Sequence, residues 1–283
     1  MLENWKIDFL IQKFLEEDAP FGDITTEILF ETSPLIEAEI VAKEDLVLCG
    51  SLVAEKVFFF TCRAFECKWN FKEGEEVKKG SVLACLRGEL KGILLGERLA
   101  LNLLQHLSGI ATCVRVAVKK LKPYKTKILD TRKTLPGLKL LEKYAVKVGG
   151  GQNHRFSLSD GILIKDNHIK AAGGLTKVLK TLKEKSIPHY LKVEVEVSSI
   201  EELEKVLEYS PPVDVVLLDN FSPEKVKNAL ELIKGANSNI KVEVSGGITL
   251  ENLEDYAKLG VDYISSGSIT HSAKAVDISL RVK

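Results

Sequence analysis

Basic side chains crowd the stretch between residues 130 and 169 of a chain whose formal net charge is zero. Arginine can form two parallel hydrogen bonds with a carboxylate or phosphate, and lysine supplies a movable point charge. Solvated surface charge is the alternative explanation for any one of these residues. As a set, they predict a substrate with several negative charges. The five groups are Arg132, Lys133, His154, Arg155 and Lys165.

Acidic side chains alternate with valines in the segment VEVEV, so Glu194 and Glu196 point to the same face of a predicted strand. Carboxylates on a buried face must be paired with cations or bound to a metal. Together with Asp219, which ends the next strand, they could hold Mg²⁺, because this ion prefers oxygen ligands and keeps some of its water. The alternative is ion pairing with Lys165 or a nearby arginine. We expect both ion pairing and metal binding, with Glu196 slightly favoured over Glu194 as the residue that faces the metal.

Two short loops of serine and glycine follow the last two predicted strands. Each is expected to precede a helix, where small residues let backbone N–H groups approach an anion closely. Ordinary turn chemistry explains any one such loop. Because phosphate sites in α/β barrels favour the last two strands, the pair predicts a phosphate site. Its residues are Ser245, Gly246, Gly247, Ser266, Gly267 and Ser268.

The second half of the chain supplies the elements that must position these groups. Short runs rich in Val, Ile and Leu alternate about six times with helical segments. This rhythm predicts a parallel sheet, and the lack of a dinucleotide fingerprint favours an α/β barrel over a doubly wound sheet. Six units are fewer than eight, so the barrel should be incomplete or closed by another element. Functional groups lie at the carboxyl ends of barrel strands, where Thr131 also falls.

The first half has a different pattern. It predicts an amphipathic helix over residues 5–17, a strand over 36–42, and a β-rich module with glycine turns over 71–90. A long apolar helix follows from residue 93 to about 122, and Gly109 could end it before a further helix. We expect a boundary between two domains in this region.

Composition excludes several classes of protein. The chain has 283 residues, 45% of them hydrophobic, with 40 basic and 40 acidic side chains, which is typical of a globular protein without affinity for nucleic acid or membranes. We expect no membrane-spanning run and, from the charged N-terminal segment, a cytoplasmic protein. The five cysteines form no CxxC pair and are expected to be buried, reduced thiols.

Taken together, these motifs resemble the quinolinate phosphoribosyltransferase family. The resemblance rests on DTRKTLPGLKLLEKYAVKVGGGQNHRFSLSDGILIKDNHI, EVEV, LLDNF, EVSGGI and SGSITHS. It extends to EDAPFGDITTE and GERLALNLLQHLSGIAT nearer the N-terminus, so it covers nearly the whole chain.

The resemblance implies a fold and a reaction. The fold is an N-terminal α/β sandwich domain at residues 1–109, on which residues 271–283 pack, and an incomplete α/β barrel of about six βα units at residues 110–270. The reaction joins quinolinate to phosphoribosyl pyrophosphate with Mg²⁺, giving nicotinate mononucleotide, pyrophosphate and CO₂ in de novo NAD synthesis. Family members form homodimers or larger assemblies that share active sites between subunits.

The resemblance also assigns roles to residues. Arg132, His154 and Arg155 would bind the quinolinate carboxylates, together with Arg98 from the partner subunit. The two glycine loops would take the 5′-phosphate. The implied catalytic groups are Lys133, Lys165, Glu196 and Asp219, with the last two also facing Mg²⁺. The remaining substrate-binding candidates are Thr131, Glu194 and His271, the last of which could equally be a turn residue.

Two alternatives remain at this point. One is a related phosphoribosyltransferase-like protein of a molybdate-transport locus. The other is a non-catalytic binder of phosphate ligands on the same fold, against which the costly inward charges count.

Overall fold

The computed structural model describes residues 4–209, 212–236 and 239–283. Its described residues divide into two compact units. The first comprises Met1–Arg115, Thr134–Gly150 and Ile269–Lys283, and the second comprises Val116–Lys133 and Gly151–Ser268. The sequence predicts a domain boundary near residue 109, with residues 110–270 in one domain. The structure differs in that residues 134–150 belong to the first unit.

The first unit contains a four-stranded antiparallel sheet in the order β12-β1-β5-β3. Side chains along β1 point alternately to the core and to solvent, which fixes the face that the sheet buries. Ala38 and Ile40 are buried, whereas Glu37 on the same strand is exposed. The C-terminal strand returns to this sheet, with Ala38 opposite Val282. A two-stranded ribbon, β2 with β4, lies in the same unit. The strands are β1 (Leu35–Ala42), β2 (Leu46–Val47), β3 (Phe65–Trp69), β4 (Glu76–Val77), β5 (Val82–Glu89) and β12 (Ile278–Val282).

Helices of the first unit follow the predicted periodicity. Ile7 and Ile11, four residues apart, are buried in the first helix. Asp23 caps the second helix by accepting a hydrogen bond from the Thr26 backbone N–H at 3.2 Å. The helices are α1 (Asn4–Asp18), α2 (Ile24–Leu29), α3 (Ser51–Thr61) and α5 (Lys139–Gly149).

The long helix α4 (Leu90–Leu121) continues through Gly109, so the prediction that this glycine ends the helix is wrong. A Cβ atom at Gly109 would lie 2.2 Å from the Lys274 carbonyl oxygen. The glycine therefore provides space for the returning C-terminal segment and does not terminate the helix. Similarly, a Cβ atom at Gly149 of α5 would lie 2.8 Å from the Ala111 carbonyl oxygen, which explains why the segment 134–150 belongs to this unit.

By length and composition, α4 could cross a membrane, contrary to the expectation that no such segment exists. In the structure, 56% of the most apolar 18-residue segment of this helix is buried. Core helices of soluble proteins meet the same criterion, so this helix alone is weak support for a membrane span.

The second unit is built on six parallel strands in the order β6-β11-β10-β9-β8-β7. The end strands β6 and β7 do not pair with each other within the described residues, which confirms the predicted incomplete α/β barrel. Gln152 makes an isolated parallel bridge to Leu129 at the free edge of β6. The strands are β6 (Lys127–Leu129), β7 (Ile162–Ile164), β8 (Val193–Val197), β9 (Val215–Asp219), β10 (Lys241–Ser245) and β11 (Tyr263–Ser265).

Helices connect these parallel strands, as right-handed crossovers require. Pro223 opens the longest of them, which Ser222 caps by accepting a hydrogen bond from the Lys225 backbone N–H. The helices are α6 (Asp166–Ala171), α7 (Leu175–Glu184), α8 (Ile200–Tyr209), α9 (Pro223–Gly235), α10 (Leu253–Ala257) and the short α11 (Ser268–His271).

The close approach at Gly109 yields a prediction. Alanine at this position should lower the free energy of unfolding by about 1–3 kcal/mol, because the added methyl group meets backbone atoms that cannot rotate away. Chemical denaturation measures the change. The matched control is Gly235→Ala in α9, where a Cβ atom meets nothing within 4 Å and helix propensity should leave stability unchanged or raised by up to about 1 kcal/mol. Equal effects of the two substitutions would contradict the packing explanation.

Candidate active site

A cavity of about 570 Å³ opens at the carboxyl ends of the parallel strands in the second unit. Cations, carboxylates and glycines from six successive strand ends surround it, as the sequence predicted. The lining residues are Thr131, Arg132, Lys133, His154, Arg155, Leu163, Lys165, Glu196, Leu217, Asp219, Asn220, Glu243, Ser245, Gly246, Gly247 and Ser265.

Some predicted site residues lie outside this lining. Arg98 and His271 belong to the first unit, and the His271 Nδ1 atom is hydrogen-bonded to the Ser272 hydroxyl at 2.7 Å. Glu194 lies behind His154, as described below. The remaining predicted residues outside the lining are Ser266, Gly267 and Ser268.

The two glycine loops are linked by a hydrogen bond in which the Ser266 hydroxyl donates to the Ile248 carbonyl at 2.8 Å. The expectation that a helix directly follows each loop is confirmed for the second loop, because α11 begins at Ser268, although this helix has only four residues. It is wrong for the first loop, because α10 begins only at Leu253. Gly246 has φ +89°, and a Cβ atom there would lie 2.3 Å from the Asn220 side-chain oxygen, so only glycine fits.

Buried Asp130, at the end of β6, fixes the loop that carries His154 and Arg155. Its carboxylate accepts hydrogen bonds from the Asn153 side-chain nitrogen at 2.6 Å and from the His154 backbone N–H at 2.8 Å. Asp130 is fully buried. The sequence predicts Asp130 among the polar groups at the carboxyl end of this strand, after the segment KTKIL, but its support of the loop is evident only from these hydrogen bonds.

Two arginines lie close together in the cavity. Burial, followed by the positive charge of Arg132, lowers the pKa of the Arg155 guanidinium. Arg155 donates one hydrogen bond to the Gly161 carbonyl at 2.9 Å, while its buried Nε atom has no hydrogen-bond partner among the described residues. Neighbouring guanidinium groups whose positive charges repel each other favour the binding of an anion.

Lys165 and Glu196 form the ion pair expected from the sequence, with 2.6 Å between Nζ and Oε2. Burial, followed by the negative charge of Glu196, raises the pKa of Asp219, although the Asn220 side chain donates a hydrogen bond to it at 2.8 Å. Two carboxylates that destabilise each other's charge suit a bound cation.

His154 uses both ring nitrogens within the protein. Its Nδ1 atom accepts a hydrogen bond from the Arg155 backbone N–H at 2.7 Å, so Nδ1 carries no proton. The Nε2 atom then carries the proton and donates to Glu194 at 2.8 Å. His154 therefore orients Arg155 as a neutral ring, and its predicted direct contact with substrate stays a prediction.

Comparisons with known proteins identify the family of the chain. The family model for the N-terminal domain of quinolinate phosphoribosyl transferase matches residues 23–108, and the model for its C-terminal domain matches residues 110–281. The chain belongs to the quinolinate phosphoribosyltransferase family. Its α/β architecture and six-stranded barrel are those of its structural neighbours.

Individual relatives are similar over nearly their whole length. A probable nicotinate-nucleotide pyrophosphorylase (carboxylating) of Bacillus subtilis is 43% identical over 99% of this chain and 95% of the relative. The corresponding protein of Methanocaldococcus jannaschii is 44% identical over 100% and 99%. The solved nicotinate-nucleotide pyrophosphorylase from Francisella tularensis superposes with a TM-score of 0.91 at 38% identity, covering 100% of this chain and 98% of that one.

Glu243 is a cavity residue of this quinolinate phosphoribosyltransferase homologue that sequence analysis missed. In the sheet register, Leu217 lies opposite both Glu196 and Glu243, so the three residues form one row across β8, β9 and β10. The alternation in KVEVS was the available signal, because it repeats the pattern that identified Glu194 and Glu196. Glu243 is only 2% exposed.

Burial, followed by the charge of Glu194, raises the pKa of Glu243 to about 7. A hydrogen bond with the Ser265 side chain and the positive charge of Lys165 act in the opposite direction and do not reverse the shift. The Oε1 atom of Glu243 is buried without a hydrogen-bond partner among the described residues. Near neutral pH, this carboxyl group can therefore hold a proton.

A metal ion does not suit the cluster of His154, Glu194 and Glu243, although their ligand atoms lie within 4.8 Å of one another. A neutral histidine that ligates through Nε2 must carry its proton on Nδ1. Here Nδ1 accepts the Arg155 backbone N–H instead. The cluster is therefore better described as a hydrogen-bonded group that retains a proton.

The raised pKa of Glu243 predicts a pH-dependent contribution to stability. As pH rises from about 4.5 to about 7, the unfolded chain releases this proton while the folded chain keeps it, so folding becomes less favourable. Glu243→Gln should remove this loss and exceed the wild type in unfolding free energy by about 2–3 kcal/mol at about pH 8, but not at about pH 4.5. Chemical denaturation at both pH values measures it.

Glu231→Gln on the exposed surface of α9 is the control, and we expect no such pH-dependent difference for it. A gain from Glu243→Gln that is the same at both pH values would contradict the assignment of the raised pKa.

Proposed function

We propose that this chain transfers the phosphoribosyl group of phosphoribosyl pyrophosphate to quinolinate and removes one carboxylate as CO₂. The products are nicotinate mononucleotide, pyrophosphate and CO₂, a step in NAD synthesis. The observation that carries the proposal is the close placement of Arg132 and Arg155, whose charges oppose each other in the absence of an anion. The two carboxylates of quinolinate match this pair.

The first step is displacement of pyrophosphate from the ribose carbon by the pyridine nitrogen. Positive charge develops on the sugar in the transition state, and Glu196 and Asp219 can stabilise it electrostatically. Lys133 and Lys165, which line the same cavity, neutralise the departing pyrophosphate. Backbone N–H groups of the two glycine loops are suited to the 5′-phosphate.

The second step is decarboxylation. Once the ring nitrogen is alkylated, the ring is cationic and accepts the electron pair that the leaving CO₂ releases. The arginines hold the substrate in place while the carbon–carbon bond breaks.

Mg²⁺ is part of this proposal, with Glu196 and Asp219 as the residues that would hold it. The raised pKa of Asp219 beside Glu196 supports a cation at this position. When bound, Mg²⁺ supplies positive charge to the phosphate oxygens of the substrate. The ion pair with Lys165 already compensates part of the charge of Glu196.

We further propose a homodimer, or a larger homo-oligomer, in which Arg98 reaches the cavity of the partner subunit. Large apolar side chains exposed on α1, α2 and α3 and on the turn between α1 and α2 support an interface on the first unit. They include Trp5, Phe9, Phe21, Ile28 and Phe59, which are 66%, 59%, 93%, 77% and 73% exposed.

We propose the cytoplasm as its location, because five free cysteines suit a reducing compartment. The names of the relatives favour the pyridine nucleotide reaction over the molybdate-linked and non-catalytic alternatives.

The purified protein should convert quinolinate, phosphoribosyl pyrophosphate and Mg²⁺ into equal amounts of nicotinate mononucleotide, pyrophosphate and CO₂. Chromatography of the nucleotide and capture of labelled CO₂ measure the products. Nicotinate should compete poorly, because it lacks the second carboxylate that the arginine pair recognises. A folded protein that forms no nicotinate mononucleotide would refute the proposed function.

Substitution of the half-buried Arg155 tests how quinolinate is recognised. Arg155→Gln should raise the KM for quinolinate by about 30-fold to 100-fold, which corresponds to about 2–3 kcal/mol for a lost charge-assisted pair. The KM for phosphoribosyl pyrophosphate should change much less. Arg281→Gln, on the C-terminal strand of the other unit, is the control. An equal increase in both KM values would argue against a role specific to quinolinate.

A mixture of two inactive variants tests the shared site. Arg98→Ala and Lys165→Ala should each abolish activity without unfolding the protein, because each removes a charge that the substrates require. After subunit exchange, mixed dimers should regain part of the wild-type activity through one intact site. Proven exchange without recovered activity would count against a site completed by the partner subunit.

A further inference from the structure

The proposed reaction requires a proton at one ring carbon, and this requirement rests on the function proposed above. Heterolytic loss of CO₂ leaves an electron pair on the carbon next to the alkylated nitrogen. That carbon must then form a bond to hydrogen. Each turnover therefore consumes one proton, and an acid within the cavity can supply it.

Most groups that line the cavity are poor proton donors at neutral pH. Guanidinium groups do not release protons in proteins. Lys165 is engaged in its ion pair with Glu196, with 2.6 Å between Nζ and Oε2. The Nε2 proton of His154 is directed at Glu194 at 2.8 Å.

Glu243 differs from these groups in its placement. It lies in the cavity lining, in the same row as Glu196 but separated from it by Leu217. Its buried Oε1 atom lacks a hydrogen-bond partner among the described residues, so an acidic proton there is not committed to a neighbouring group. Burial next to Glu194 raises its pKa to about 7, so its acid form is populated at neutral pH.

The surroundings of Glu243 also suit the carboxylate that remains after proton transfer. Lys165 and Ser265 favour the ionised form, whereas burial and the charge of Glu194 oppose it. The same site can therefore hold the residue in both protonation states, as a general acid requires.

We propose that Glu243 is the general acid that protonates the ring carbon from which CO₂ departs. The carbon–carbon bond to the carboxylate breaks, its electron pair stays on the ring carbon, and the O–H bond of Glu243 breaks as the new C–H bond forms. Glu243 is left as a carboxylate and regains its proton from solvent before the next turnover. No oxidant or other reactant is needed.

The test separates the release of pyrophosphate from the release of CO₂. In wild-type protein, rapid-quench assays with quinolinate, phosphoribosyl pyrophosphate and Mg²⁺ should give the two products in equal amounts. Glu243→Gln retains the shape and neutrality of the acid but cannot donate its proton. Pyrophosphate release should persist in this variant, while CO₂ release should slow by about 100-fold or more. The dicarboxylate mononucleotide should then accumulate.

Several results would overturn the proposal. Equal, wild-type rates of pyrophosphate and CO₂ release in Glu243→Gln would show that no proton from Glu243 is needed. An equal loss of both products would assign Glu243 a structural or substrate-positioning role. The exposed Glu231→Gln control should behave as wild type. If the wild type itself produced neither product, the proposed function would fail, and not merely the role of Glu243.

Should Glu243→Gln fail to fold, the wild type at rising pH decides the question. The fraction of undecarboxylated mononucleotide among quenched products should increase between about pH 6 and about pH 9, as Glu243 loses its proton. Pyrophosphate release should not fall in parallel. A constant product ratio across this range would overturn the proposal.

Discussion

Charge confined at one end of the parallel sheet is the constraint on which the second unit depends. Within the cavity, the charges of Arg132 and Arg155 oppose each other, and so do those of Glu196 and Asp219. Groups of like charge remain ionised at such distances only when opposite charges or ligands compensate them. Lys165 provides part of this compensation for Glu196. A substrate that brings carboxylates and phosphates provides the compensation that the arginines need.

Rigid supports hold these groups in place. Asp130, just after β6, is fully buried and holds the loop that carries His154 and Arg155 through two hydrogen bonds. The ring of His154 continues this support, because it connects the Arg155 backbone to Glu194. A catalytic cavity requires such preorganisation, since the charges must not relax toward each other before the substrate arrives.

Glu243 gives the cavity a chemical property that its ionised neighbours lack. Leu217 separates Glu243 from Glu196, and the burial of Glu243 keeps water from stabilising its carboxylate form. The result is a carboxyl group that can carry a proton near neutral pH. A protonated and an ionised carboxyl group can thus coexist in one row of the sheet because each has a different environment.

The sequence by itself determined the incomplete barrel and most of the residues that line the cavity. Periodicity of two and of about 3.6 residues distinguishes strands from helices, and parallel strands align their carboxyl ends, so Lys165, Glu196 and Asp219 had to meet. Only the tertiary structure decided the role of Gly109, which depends on a carbonyl group contributed 165 residues later in the chain, at Lys274. It also decided the protonation of Glu243 and the tautomer of His154. Burial and hydrogen-bond partners fix those properties, and both arise from residues distant in sequence.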